Sequence, residues 1–174
     1  MGYIYQQAEV LAKKYKTRCP YELLDAIGAI TVLSDQYSED GLKGFSTIIN
    51  RQMFAFINAK LNEHDRKIVA GHEAGHLILH KKEIMLAPAC ALKDFNLYDN
   101  SGKLEFEANT FLANFLVTDD EILEAITDDD GDYFTTAKEL YIPPPLLAFK
   151  LFNMVRRGFN VKNPANLDSK FLAH

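Results

Sequence analysis

HEAGHLILH, at positions 72–80, is the most informative stretch of this 174-residue chain for its fold. Two histidines four residues apart, His72 and His76, lie on one face of an α-helix, one turn above the other. Their imidazole nitrogens can then bind one small cation, and Glu73 can take a proton from a water molecule on that cation. The HExxH pattern is typical of zinc-dependent hydrolases, so the sequence predicts a zinc site on a helix.

The residues around this stretch favour a helix. Asn62 is a suitable N-cap, and acidic residues follow in the first turn, where the helix dipole stabilises them. Gly71 and Gly75 lower helix propensity, which indicates that another element packs closely there. His80 is too far along the helix to share an ion with the other two histidines. We predict that it packs against the ligands or supports them by hydrogen bonding.

A catalytic zinc site needs a third protein ligand, and the segment EFEAN at 105–109 offers one. Glu105 and Glu107 are two residues apart, so on a helix they point about 200° from each other and only one can face the metal. Glu105 shares a face with Asn109, whose amide can hydrogen-bond a ligand. We therefore predict Glu105 as the ligand, Asn109 as its support and Glu107 in solvent. The alternative is that both are surface carboxylates of an unrelated helix.

The composition indicates one domain with a substantial core, since 48% of the residues are hydrophobic. No stretch is long and apolar enough to span a membrane, and the N-terminus lacks a secretory signal. Cys19 and Cys90 lie far apart with no CxxC pattern, which favours reduced thiols and a cytoplasmic protein. The net charge of −5 argues against a general affinity for nucleic acid.

The charges are unevenly distributed along the chain. Residues 119–132 are rich in Asp and Glu, with no Lys or Arg, whereas the charged residues within 150–170 are Lys or Arg except for Asp168. We expect both runs to be solvated faces of the protein.

The order of the predicted elements favours an α+β fold. Ile30–Leu33 reads as a short strand, and Phe45–Asn50 with Met53–Asn58 reads as a hairpin. Leu104–Val117 is a second strongly helical stretch, and a last helix runs over Leu146–Arg157. Strands in the first half and helices in the second are typical of the α+β class.

At this point the sequence resembles the ImmA/IrrE-type (DUF955) zinc metallopeptidases of bacteria and their mobile elements. The matching stretches are HEAGHLILH at 72–80, EFEAN at 105–109 and TFLANFLVTDD at 110–120. The resemblance covers roughly residues 5–157. The family pattern places the third ligand at the first Glu of ExxAN, which is Glu105 here, in agreement with the helical argument.

The resemblance also implies an architecture. It is a zincin-like core over residues 1–127, in which a small twisted sheet packs on the HExxH helix. Residues 133–174 are then a C-terminal helical extension packed on that core. By analogy with such folds, the strand Met53–Asn58 could bind an extended substrate as an added strand.

The mechanism follows from the ligands that the residues and the resemblance indicate. Zinc held by His72, His76 and Glu105 activates water and polarises the scissile carbonyl, with Glu73 as general base. Tyr98 and His64 are both candidates for a further donor to the developing oxyanion, and the sequence does not rank them. These ligands also suit manganese or iron.

The resemblance further implies a protein substrate, a helix-turn-helix repressor of a phage or mobile element, with no membrane partner. The first alternative is a non-catalytic or regulatory zinc-binding module that acts by contact with a protein or DNA, since residues 137–149 resemble a degenerate helix-turn-helix. A triple proline in its turn and the acidic net charge argue against direct binding of nucleic acid. The second alternative is a zinc hydrolase that acts on a substrate other than protein.

Overall fold

The computed structural model describes residues 2–38, 40–86, 92–94, 102–127 and 132–161. In these residues the fold is α+β, as predicted. The elements are α1 (Gly2–Tyr15), α2 (Pro20–Ala26), β1 (Ala29–Ser34), β2 (Gly44–Ile49), β3 (Gln52–Asn58), α3 (Glu63–Leu79), α4 (Lys81–Leu86), β4 (Leu92–Asp94), α5 (Lys103–Leu116), α6 (Asp119–Thr127), α7 (Tyr133–Glu139) and α8 (Pro144–Arg156). None of the described helices has the length and apolar character needed to cross a membrane.

The four strands form one mixed sheet in the order β1-β3-β2-β4. β2 and β3 form the predicted hairpin, in which Ile49 pairs with Gln52. Between them, Asn50 and Arg51 have φ angles of 51° and 68°, as the two central residues of a type I′ turn require. β1 runs parallel to β3, and β4 runs antiparallel to β2.

The position of β3 contradicts the predicted binding of substrate to the strand Met53–Asn58. This strand is hydrogen-bonded to β1 on one side and to β2 on the other, so its backbone groups are already used. An extended peptide can add only to an edge strand. The sequence did not indicate that β3 is an inner strand, because the residues that pair between β1 and β3 are more than twenty positions apart.

Helix α3 lies at the centre of the main core. Residues 68–77 of this helix are all buried, because the sheet, α2 and α5 pack around it. The sheet side contributes Ile48 of β2 and Ala55 and Ile57 of β3, which share a hydrophobic cluster with Val69 and Ala74 of α3. A helix buried on all sides gives little amphipathic contrast in its sequence.

The C-terminal helices share a second hydrophobic cluster with α5. Leu112 of α5, Ile122 of α6, Ala137 of α7 and Phe149 of α8 are all buried in it. Ile68 of α3 also belongs to this cluster, so the described C-terminal helices pack on the same helices that carry the HExxH and EFEAN segments.

A buried ionic network joins α1, α6 and α8, and it corrects the prediction that both charged runs are solvated. Lys150 has no exposed side-chain surface, and its Nζ lies 2.8 Å from Oδ1 of Asp119. Arg157 donates to both carboxylate oxygens of Asp119, at 2.6 and 2.7 Å. The ring of Tyr5 lies 3.6 Å from the guanidinium carbon of Arg157. The acidic run therefore pairs with the basic run through Asp119, Lys150 and Arg157 when the helices pack.

This network makes stability depend on pH in the acid range. Burial alone raises the pKa of Asp119, but hydrogen bonds from Arg157 and Lys150 outweigh it and lower that pKa from 3.8 to about 2. A carboxyl whose pKa falls on folding stabilises the native state above its unfolded value. We therefore expect the metal-free protein to lose stability as the pH falls from about 4 to about 2, as measured by urea denaturation.

An exposed neighbour gives the control for this pH dependence. The Asp120→Asn variant should lose as much stability as the wild type when the pH falls, since Asp120 is exposed. An NMR titration that placed the pKa of the Asp119 carboxyl at the value of an unfolded chain would contradict the prediction.

Some predictions fall on residues outside the described part of the chain. These are Cys90, Tyr98 and the tail 162–174 of the proposed extension. Cys19, which is described, is a free thiol.

Candidate metal centre

Helix α3 carries the HExxH residues into the interior. It begins where the sequence predicts, since the Asn62 side chain accepts a hydrogen bond from the backbone N–H of Asp65 at 2.8 Å. His72, Glu73 and His76 have no exposed surface. Buried polar groups destabilise a protein unless they are paired. The partners of these three side chains therefore show what the site can bind.

The side chains of His72, His76 and Glu105 converge on one point. The two histidine Nε2 atoms are 2.9 Å apart. Oε2 of Glu105 lies 3.1 Å from Nε2 of His72 and 3.4 Å from Nε2 of His76. In a tetrahedral zinc site with bonds of about 2.0–2.2 Å, neighbouring ligand atoms are about 3.3–3.6 Å apart. The three atoms therefore lie close enough together to bind one zinc ion, and two nitrogens with a carboxylate oxygen suit it chemically.

Asn109 orients the ring of His72. Its Oδ1 lies 2.9 Å from Nδ1 of His72, and an amide oxygen can only accept a hydrogen bond. We therefore assign the ring proton to Nδ1, which leaves the lone pair on Nε2, toward Glu105. Lone pairs that converge with a carboxylate oxygen repel one another unless a cation lies between them. The site thus fits a metal ion, with Asn109 beside His72.

Glu105 is ionised at neutral pH. Burial raises the pKa of its carboxyl, but hydrogen bonds from the rings of His72 and His76 and their charge, when those rings are protonated in the metal-free protein, outweigh burial and hold the pKa well below its usual range. An anionic oxygen beside two imidazole nitrogens is the form that a divalent metal requires.

His80 contacts His76, and Glu107 does not simply face solvent. Nδ1 of His80 lies 3.0 Å from Nδ1 of His76, and its Nε2 lies 3.1 Å from Oε2 of Glu107. The side chains of His80 and Glu107 are 2% and 27% exposed. The prediction for Glu107 considered α5 alone. In the fold, α3 lies beside α5 and brings His80 within reach of the Glu107 carboxylate.

Strand β2 holds the carboxylate of Glu73, which sequence reasoning missed. The buried hydroxyl of Ser46 donates to this carboxylate and lies 3.2 Å from the backbone oxygen of the same residue. A Cβ at Gly44 would lie 2.8 Å from Oε1 of Glu73 and 2.5 Å from Cγ1 of Val69. Small residues at two alternate positions of β2 therefore make room for Glu73 and supply a donor. In the sequence, the small residues of GFS at 44–46 were the only indication of this contact, and they did not point to Glu73.

His64, one of the two candidate oxyanion donors, lies away from this site. It is an exposed residue in the first turn of α3. Eight residues separate it from His72, which corresponds to about 12 Å along a helix axis. It lines a cleft with Lys67 and Tyr141 instead. Tyr98 lies outside the described residues.

The glycines of α3 mark close contacts, as their cost in helix propensity indicated. A Cβ at Gly71 would lie 2.4 Å from Cδ1 of Leu112 and 3.1 Å from Cγ of Pro20. A Cβ at Gly75 would lie 3.2 Å from the backbone oxygen of Ala108 in α5. Gly75 therefore sets how closely α5, with Glu105, approaches the two histidines.

Gly75→Ala should lower both stability and zinc affinity. The substitution raises helix propensity by up to about 1 kcal/mol, but overpacking against a rigid backbone destabilises by about 1–3 kcal/mol. We expect a net loss of stability and a weaker zinc site, because α5 must move away from α3. Urea denaturation and zinc titration measure the two effects. Lys67→Ala, at an exposed position of the same helix, is the control, and a stabilised Gly75→Ala variant would contradict the prediction.

Comparison with known proteins gives a family and a relative. A family model for peptidase family M78, described as an IrrE N-terminal-like domain, matches residues 29–152. A protein of Bacillus phage phi105, "Uncharacterized immunity region protein 2", is 36% identical over 109 residues, which cover 63% of this chain. The match spans 65% of that relative's length. No solved structure matches the chain at a significant level.

Proposed function

This chain belongs to peptidase family M78, the ImmA/IrrE family, and on that basis we propose that it is a zinc-dependent metalloendopeptidase. Family membership implies a peptidase-like domain with a metal. The observation that carries the proposal is the convergence of His72, His76 and Glu105 within 3.4 Å of one another. The proposal includes a zincin-like core over residues 1–127, with the extension 133–174 packed on it.

The described residues have separate roles in this proposal. His72, His76 and Glu105 hold the metal. When bound there, zinc would supply a Lewis acid for the scissile carbonyl and for the attacking water. Glu73 takes a proton from the attacking water and passes it to the leaving amine nitrogen. The hydrogen bond from Ser46 keeps the Glu73 carboxylate in one orientation.

We propose that the substrate is a protein, namely a helix-turn-helix repressor of a phage or mobile element. The printed name of the phi105 relative places that relative in an immunity region, and repressors maintain phage immunity, which supports this choice. The site of action is then the cytoplasm, where such repressors work. The net charge of −5 favours recognition of the repressor itself rather than its DNA.

The test combines the purified chain, zinc and the repressor encoded nearest to its gene. We expect cleavage of the repressor at one position, lost when a chelator removes zinc and restored when zinc is returned. Mass spectrometry of the fragments identifies the cut. Repressor that binds the zinc-loaded chain and stays intact would refute the peptidase proposal and favour a regulatory zinc-binding module.

A further inference from the structure

A series of three contacts leads from the surface of α5 to the candidate metal centre. Oε2 of Glu107 lies 3.1 Å from Nε2 of His80, and Nδ1 of His80 lies 3.0 Å from Nδ1 of His76. Nε2 of His76 in turn lies 2.9 Å from Nε2 of His72 and 3.4 Å from Oε2 of Glu105. Each ring thus uses both nitrogens, one toward the surface and one toward the centre.

Hydrogen-bond chemistry sets the direction of this series. An ionised carboxylate can only accept, so Glu107 accepts a hydrogen bond from Nε2–H of His80. Neutral His80 then has a lone pair on Nδ1 and accepts from Nδ1–H of His76. His76 consequently carries its lone pair on Nε2, the atom that faces Glu105 and His72. We propose that Glu107 is a positioning residue that acts through His80 to hold His76 in its metal-binding tautomer.

The simpler interpretation of Glu107 is a surface ion pair with Lys103, one turn earlier on α5. That pair spans 3.7 Å, and the Lys103 side chain is 83% exposed, so we expect it to contribute little. The contact with His80 is shorter and is made to a side chain that is 2% exposed. In a buried environment such a charge-assisted hydrogen bond is stronger than at the surface. The geometry therefore favours a role for Glu107 on the inner side of α5.

The two histidines are held by different partners. His72 donates to the neutral amide of Asn109, whereas His76 is connected to a carboxylate through a second histidine. Carboxylates that hydrogen-bond a ligand histidine make it a better donor to the metal, and their loss lowers metal affinity by about 10–100-fold. This inference rests on the proposed function only in taking His76 as a metal ligand.

The first experiment measures the affinity of the metal-free chain for zinc alone, by competition with a chelating dye. We expect Glu107→Ala to weaken zinc binding by about 10–100-fold. Glu107→Gln, which keeps a neutral acceptor for His80, should have a smaller effect. Lys103→Ala, the control, should leave the affinity within about twofold, because an exposed pair contributes little. Unchanged zinc affinity in a folded Glu107→Ala variant would overturn the proposal.

The second experiment needs neither zinc nor substrate. Nitrogen-15 NMR of the histidine rings in the metal-free wild-type chain identifies which nitrogen carries each proton. We expect the proton of His76 on Nδ1 and that of His80 on Nε2, and we expect the His76 assignment to change in Glu107→Ala. A proton on Nδ1 of His80, or no proton on Nδ1 of His76, in the wild type would overturn the relay. A chain with the expected tautomers and zinc affinities that cleaves no repressor would refute only the proposed function.

Discussion

Replacement of Glu73 by glutamine is expected to lower the rate of repressor cleavage by about 10²–10⁴-fold, the usual contribution of a general acid–base group. Glutamine has nearly the same shape and can still accept the hydrogen bond from Ser46, so the fold should persist. It cannot take a proton from water at neutral pH. Since Glu73 is not among the three converging ligands, zinc should stay bound. Single-turnover cleavage and zinc titration measure the two results.

Glu63→Gln is the matched control for this experiment. Glu63 is an exposed carboxylate in the first turn of the same helix, so its loss changes the charge of α3 by the same amount. We expect wild-type cleavage from this variant. Cleavage by Glu73→Gln at the rate of the control would show that another group is the base. Loss of zinc from Glu73→Gln would mean that Glu73 contributes to the metal site itself.

Replacement of Asp119 by alanine should destabilise the protein by about 3–5 kcal/mol, because it removes the anion that pairs two cations. Lys150 would then be a charged side chain with no exposed surface, and its 2.8 Å partner would be lost. Burial already lowers the pKa of Lys150, and Asp119 opposes that effect. Arg157 would lose both of its hydrogen bonds to the carboxylate. Urea denaturation at neutral pH measures the loss.

Two further variants show whether the network causes this effect. Asp120→Ala, at the exposed neighbouring position, should change stability by no more than about 0.5 kcal/mol. Asp119→Leu combined with Lys150→Met should recover much of the stability lost in Asp119→Ala, since buried ion pairs are often replaceable by apolar residues of similar volume. Equal losses from Asp119→Ala and Asp120→Ala would contradict the prediction.

Local signals in the sequence predicted the elements that carry the site. Asn62 and the absence of proline indicated the span of α3, and the glycines at 71 and 75 indicated the close contacts with its neighbours. The 3.6-residue period of a helix separated Glu105 from Glu107 and placed Asn109 on the side of Glu105. Each of these inferences depends on residues within a few turns of one another, where the geometry of the chain is nearly invariant.

Other members of the site could not be predicted in this way. Ser46 and Gly44 contact Glu73 across 27 residues or more of sequence. Glu107 meets His80 only because α5 packs beside α3. The repeat of a helix or strand does not relate residues of different elements, since the relative placement of two elements depends on how all the others pack around them.

For this protein, short-range patterns were enough to predict the HExxH helix, the hairpin, the α+β class and the candidate ligands. Packing of the whole chain determined which strand lies inside the sheet, which charges are buried together and which side chains hold Glu73 and His76 in place. The difference has one cause. Backbone geometry dictates the contacts within a helix or a hairpin, whereas contacts between elements arise from the burial of apolar surface over the entire fold.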